Sequence, residues 1–303
     1  PQGRFAFVDP NTGAEQDIVP NTGVSNPRYD GSAGCNRSDD YHCFTSADRF
    51  NFAEYNMVLT PSERKGLFGQ FRFDITDNVQ WYIKALGNRR ESTNQAGPEP
   101  LFFGPDGATG NPLADNIVVS RLNPYNPFGF DLVSSGNMSL IGRRPVEGGA
   151  RVFKQEVNTT YVATGLVGDF HAADRNWYWD VNGMYSKNKA EQTNYGSYNI
   201  YNVNMALGDP AVCAATAGCV PLNIFGGAGS ITPDMLKWIQ PVVRDRSQNE
   251  LSLFTANLSS ELFTLPAGAV SFASGYEYRK YKGWYQPDPL TVIGHYNGVP
   301  SQP

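Results

Sequence analysis

Few of the reactive side chains in this 303-residue chain stand at spacings that do chemistry. His42, His171 and His295 are scattered, and none has a companion at the spacing of a triad or a metal site. Gly226-Gly227-Ala228-Gly229-Ser230 is glycine-rich, but no Gly-Lys-Ser/Thr follows it, so it is no phosphate loop. Asp106-Gly107 and Ser38-Asp39-Asp40 could lend oxygens to calcium, yet they lack the spaced pattern of a strong site and read as solvated turns. No catalytic set, no metal and no cofactor is expected, and the chain is not read as an enzyme. Its net charge of -5, from 24 Lys+Arg against 29 Asp+Glu, leaves no basic patch for nucleic acid.

Ligand contact is better served. The segment from Leu101 to Gly136 mixes Gly, Pro, Asn and Asp with Phe102, Phe103, Tyr125, Phe128 and Phe130, and the tail adds Trp284, Tyr285, His295 and Tyr296. Aromatic faces beside amides and carboxylates suit sugars or aromatic chelates. Tyr125, Phe128, Trp284 and Tyr285 are therefore candidate ligand contacts, with loop packing or a membrane-edge girdle as the alternative use of the same rings.

The elements that must position these residues are strands. From Leu67 through Gly69, Phe71, Phe73 and Ile75, then after a Thr76-Asp77-Asn78 turn through Val79, Trp81, Ile83, Ala85 and Gly87, every second residue is uncharged. Val162 to Phe170 followed by Trp177 to Tyr185 repeats the pattern, and Phe254 to Leu262 followed by Val270 to Tyr278 repeats it again. Successive strand residues face opposite ways, so one register meets one solvent throughout. The other register carries Arg72, Asp74, Lys84, Asp180, Glu277 and Arg279, expected to face a lumen, together with the apolar Phe68, Val167, Leu251 and Leu253. That mixture is too apolar for an open water channel and calls for something packed inside.

Both soluble sandwiches and membrane barrels alternate in this way. Mean hydropathy is -0.41, and no apolar run approaches the roughly 18 residues of a membrane helix. The patterned segments run about ten residues, near the roughly 9 to 11 that cross a bilayer as a strand. Very short connections alternate with very long ones, as in outer-membrane barrels. The expected layout is an all-β, antiparallel transmembrane barrel segment with hairpins at 63–91, 153–190 and 249–282. Extracellular loops are expected at 1–62, 92–152 and 191–248, with another starting at 283–303.

Several stretches resemble TonB-dependent outer-membrane receptors: Thr60-Pro61-Ser62-Glu63-Arg64 leading into Leu67-Phe68-Gly69, Asn123-Pro124-Tyr125-Asn126-Pro127-Phe128-Gly129, Arg143-Arg144-Pro145-Val146-Glu147-Gly148-Gly149, the run Gly218 to Gly226, and Tyr276-Glu277-Tyr278-Arg279. The resemblance implies a plugged barrel of about 22 strands, of which six are recognisable here. It also implies residence in the outer membrane of a Gram-negative bacterium and active uptake of a siderophore, cobalamin or carbohydrate. The partners implied are outer-membrane lipid, the TonB-ExbB-ExbD complex and a small-molecule or oligosaccharide ligand. Plug motifs and a TonB-contacting peptide are missing, so an internal piece of a longer receptor is expected. A passive porin or structural barrel is the alternative, and a soluble carbohydrate-binding or hydrolytic β-protein a third.

Cys35 and Cys43 lie eight apart and Cys213 and Cys219 six apart, in the long loops. In an exported chain such local pairs are expected to be disulfides, and His42 beside Cys43 lacks the second ligand pair that zinc needs. Thr232 before Pro233-Asp234 and Met235 to Ile239 reads as the N-cap of a short helix.

Overall fold

The computed structural model describes residues 1–31 and 40–297. Strands β1 (Arg4–Val8), β2 (Glu15–Pro20) and β3 (Tyr41–Cys43) precede the long β4 (Ser62–Thr76) and β5 (Val79–Ala96). Short strands β6 (Leu101–Phe103), β7 (Val118–Val119), β8 (Leu132–Val133) and β9 (Met138–Arg143) follow. The remaining strands are long: β10 (Arg151–Ala172), β11 (Arg175–Tyr195), β12 (Val243–Leu265) and β13 (Gly268–Gln286). Helices α1 (Pro112–Asp115), α2 (Ile200–Leu207), α3 (Pro210–Ala215), α4 (Pro233–Ile239) and α5 (Pro289–Val292) lie between and after them. None of them is long and apolar enough to cross a membrane.

The six long strands make one antiparallel sheet in the order β13-β12-β11-β10-β5-β4. Pairing keeps the uncharged register in phase at every interface. One row runs Phe71, Ile83, Thr164, Gly183, Phe254 and Tyr278, and the next runs Phe73, Trp81, Leu166, Val181, Ala256 and Tyr276. A slip of one residue at any interface would have broken the face, because the side-chain period is two. On this face Leu67, Phe71, Phe73, Ile75, Tyr276 and Tyr278 are each more than half exposed. A soluble protein rarely leaves so large a contiguous apolar patch in water. Polar atoms within the band are satisfied locally. Trp81 Nε1 donates to Thr164 Oγ1 at 2.8 Å, Thr164 Oγ1 donates to the Tyr82 carbonyl at 2.8 Å, and Ser260 Oγ donates to the Asn176 carbonyl at 2.9 Å.

All three hairpins close through two-residue turns: Asp77-Asn78, Ala173-Asp174 and Pro266-Ala267. Ala173 (φ 52°) and Asp174 (φ 55°) both lie in the left-handed region, the geometry of a type I′ turn that follows strand twist. Bulges interrupt the pairing between Asp74 and Thr76 and between Glu261 and Phe263. The second corrects one expectation, because Phe263 rather than Leu262 stands opposite Val270.

The strands also outrun their expected bounds. The hairpins occupy 62–96, 151–195 and 243–286, in strands of 15 to 23 residues. A 20-residue strand spans roughly 66 Å, so even when tilted it rises well past an apolar band about 25 Å tall. The extra length went unseen because polar or charged residues stand in both of its registers, as in Ser92-Thr93-Asn94-Gln95 and Arg244-Asp245-Arg246.

The segments expected to be extracellular loops carry strands and helices of their own. Residues 1–31, 40–61, 97–150, 196–242 and 287–297 gather at the end of the sheet opposite the tight turns. They build a second sheet, ordered β3-β2-β1-β9-β6, and the buried apolar core of the molecule, with Phe5, Ile18, Phe103, Phe128, Leu207 and Phe225 among its members. Every member of that core cluster lies outside the six long strands. Helix α2 contributes Ile200, Val203, Ala206 and Leu207 from one face, and the Asn199 side chain accepts from the Asn202 amide at its start. We refer to this unit as the cap.

Candidate functional site

Three of the resemblance segments, at 123–129, 143–149 and 218–226, prove to be joints of the cap. Asn123 Nδ2 donates to the Ala206 carbonyl at the end of α2 at 3.0 Å, which fixes the segment that carries Phe128. Phe128 sits 4.8 Å from Phe7, 5.3 Å from Tyr29 and 5.9 Å from Phe225 between ring centroids. Arg143, fully buried, pairs with Glu147 at 2.9 Å and donates to the Gly227 carbonyl at 2.5 Å. The Gly229 amide donates to the same Glu147 oxygen at 2.7 Å. Asn223 Oδ1 accepts from the amides of Phe225 and Gly226, folding that turn so that Phe225 stacks on Phe5 at 5.3 Å. Burial is the main force pulling the Arg143 guanidinium below its ordinary pKa, with Glu147 opposing it.

The cap's sheet has two faces. Phe5, Ile18, Cys43, Ile141 and Phe103 share one row, all but Cys43 buried in the core, while Phe102, Gly142 and Arg4 are opposite one another on the other face. That outer face floors a cleft of about 530 Å³, walled by the segment from His42 to Phe52 and by Arg144. Its volume is in the range of small-molecule sites. A Cβ at position 142 would lie 3.2 Å from the Phe102 ring, so glycine there lets the ring lie flat across the floor.

Cations and rings line the cleft together. Arg4 makes two 2.8 Å bonds to Asp17 while its guanidinium lies 4.0 Å above the centre of Phe44. Arg144 faces Phe50 at 5.3 Å and Phe52 at 5.7 Å and donates to the Pro98 carbonyl at 2.8 Å. Burial, then repulsion from Arg151, holds the Arg144 guanidinium below its ordinary pKa. Arg49 is exposed and has no ion pair among the described residues. His42 sits between Asn21, 2.7 Å from Nδ1, and Asp48, 2.9 Å from Nε2. Burial pushes the Asp48 carboxyl up, but bonds from His42 and from the Thr45 amide and hydroxyl outweigh it and leave its pKa below the ordinary value. Such a site can hold an anionic ligand that carries a planar ring.

The candidates picked from sequence are not gathered there. Phe128 is only 6% exposed inside the ring cluster, which makes it core rather than a ligand contact. Tyr125 packs partly against the same core and borders a smaller hollow with Pro27, Arg28 and Phe225. Trp284 and Tyr285 are exposed at the end of β13 and, being adjacent in a strand, point to opposite faces. The cleft was missed because its residues come from five separated stretches. Phe44, Arg49, Phe50 and Phe52 were its one local signal.

Arg72, Asp74, Lys84, Asp180, Glu277 and Arg279 fall on the face opposite the uncharged band, in three adjacent rows. Side-chain bonds run along these rows and, at one place, between them. Gln80 donates to Asp74 at 2.7 Å, Tyr82 to Asn182 at 2.6 Å and Asn257 to Asp180 at 2.8 Å, while Arg279 pairs with Glu277 at 2.6 Å. Tyr82 reaches Asn182 across an intervening strand because Gly165 lies beneath it, where a Cβ would meet Asn182 Oδ1 at 2.3 Å and Tyr82 Cε1 at 2.9 Å.

Cys213 and Cys219 are joined, Cα atoms 5.3 Å apart, beside α3. The Cys35–Cys43 pairing falls on Cys35, outside the described residues, and Cys43 ends β3 rather than lying in a loop. Ser38 and Asp39 are likewise outside them, and Asp106 lines the cleft. Helix α4 starts as expected, the Met235 amide donating to Thr232 Oγ1 at 3.4 Å.

No family model matches the chain, and no curated protein does. Among solved structures, the ferric-catecholate import receptor Fiu from E. coli K12, in its closed form, matches with a TM-score of 0.29 and 14% identity, over 89% of this chain. The match takes in 36% of that receptor's chain, so this chain spans little more than a third of its length.

Proposed function

We propose that this chain is part of the wall and the outer cap of an outer-membrane barrel that takes up a scarce solute, a siderophore, cobalamin or carbohydrate, powered through TonB. The observation that carries the reading is the charge-free band on one face of the six strands, in phase across five interfaces. Within the described residues β4 and β13 have free long edges, which favours further strands on both sides and a closed barrel. The opposite face carries Phe68, Leu86, Leu251 and Leu253 among its polar residues, which suits a plug better than an open water channel.

In this reading the cap's cleft captures the solute outside the cell, and its arginines and rings favour an anionic, ring-bearing solute over a neutral sugar. The solute is carried without covalent change. Energy would come from the TonB-ExbB-ExbD complex acting on a plug. Deleting the full gene, in strains with and without TonB, tests this. Uptake of one solute should fall in the deletion strain and equally in the strain lacking TonB. Unchanged uptake of iron chelates, cobalamin and oligosaccharides in both would overturn it.

A further inference from the structure

On the cap side of the uncharged band, the same face of the sheet turns ionic within two rows. The carboxylates there are spoken for. Arg89 pairs with Glu91 at 2.6 Å and Glu156 at 3.0 Å, Arg246 with Glu191 at 3.1 Å, and Lys65 with Glu63 at 2.8 Å. One part of the belt is not balanced. Glu250 on β12 lies opposite Lys187 on β11 and Lys282 on β13, with only Lys187 close enough to pair, at 3.2 Å. Lys189 and Lys280 flank that row on the same face, and neither they nor Lys282 has an ion pair among the described residues.

Four amines therefore surround one carboxylate, a local charge of about +3. Strand spacing sets the patch at about 10 Å across β11 to β13. Tyr185 shares the row of Lys280, Tyr278 lies one row toward the band, and Trp284 lies one row beyond Lys282. Rings at that level mark the boundary between hydrocarbon and headgroups.

Resting on the reading that the uncharged face meets lipid, we infer that Lys187, Lys189, Lys280 and Lys282 dock the phosphorylated headgroup of an outer-leaflet lipid that carries two phosphates. The amines meet the phosphates at headgroup depth, the lipid's chains lie down the uncharged face, and Glu250 holds the lysines apart between phosphates. Neighbouring stretches of the belt, already neutralised internally, have no such excess.

Native mass spectrometry of the intact protein in detergent, with diphosphoryl lipid A as probe, tests this. At about fivefold per lysine near an anionic headgroup, changing all four lysines to Gln should weaken retention about 600-fold. Changing all four to Arg should keep it, as should Lys65→Gln. Lipid A stripped of both phosphates should be retained no better by the native protein than by the Gln variant, and inorganic phosphate should not compete at equal concentration. Equal retention of both lipids by a protein that needs detergent overturns the docking site alone. Effective competition by inorganic phosphate overturns the lipid assignment. A protein that stays in water without detergent overturns the membrane reading, and the docking site with it.

Discussion

Replacing Phe128 with Ala should destabilise the whole cap while leaving the long sheet intact. Six other rings, Phe5, Phe7, Tyr29, Tyr41, Phe130 and Phe225, lie within 6.3 Å of it between centroids, and they belong to segments that no other single side chain joins so widely. Truncating a buried Phe costs about 3 to 5 kcal/mol through lost transfer energy and the cavity left behind. A domain has only about 5 to 15 kcal/mol in total, so a third or more of the cap's stability would go. Hydrogen exchange on the intact protein in detergent reads this segment by segment. With about 4 kcal/mol lost, amides of β1, β2 and β9 should exchange close to a thousandfold faster, while those of β10 to β12 keep their rates, since none of their rings touches Phe128. If exchange rises only in residues 124–130, the cap is a set of independent loops and the single-core account is wrong.

Much of the sheet was legible because one register of its strands excludes charge, which leaves a period of two in each of Leu67 to Ile75, Val162 to Phe170, Phe254 to Ser260 and Val270 to Tyr278. The outermost parts of the same strands were not legible, because residues such as Glu191, Arg244 and Arg246 put charge on the face that is apolar below. The cap was hidden for a different reason. Phe5, Phe128 and Phe225 meet only after the chain has passed through both hairpins between them, so no local window holds the pattern. The cleft depends on β1 pairing with both β2 and β9, which brings Arg4 beside Gly142 and Phe102. The α4 start could be read directly, since its cap is written in four successive residues from Thr232.

Three further outcomes follow from individual contacts. Burial raises the Glu99 carboxyl above its ordinary pKa of 4.5 despite the 2.8 Å pair with Arg151, so its contribution to stability is full at low pH and is lost as pH rises through the raised value. Glu99→Gln should remove that loss while its side-chain oxygen keeps the bond from Asn297, seen as a flatter cap melting temperature against pH on the alkaline side. Replacing Cys213 and Cys219 with Ala opens a short loop and should cost about 2 kcal/mol, with faster exchange confined to α3 and its neighbours; no change would mean that the helix holds itself. Gly142→Val should drive the Phe102 ring off the cleft floor and weaken solute capture at least tenfold without lowering the cap's melting temperature by more than a few degrees, measured by solute binding and by thermal unfolding.

The central claim is that one face of the six-strand sheet meets lipid, and depth-resolved quenching tests it most directly. Single cysteines at positions 253 to 258 on β12, each carrying a fluorophore, are placed in the intact protein reconstituted with brominated lipid. Labels at 254, 256 and 258 should be quenched strongly and those at 253, 255 and 257 weakly, following the pairing of Phe254 with Gly183 and of Thr255 with Asn182. Quenching with no alternation, or strongest at the odd positions, would contradict the account.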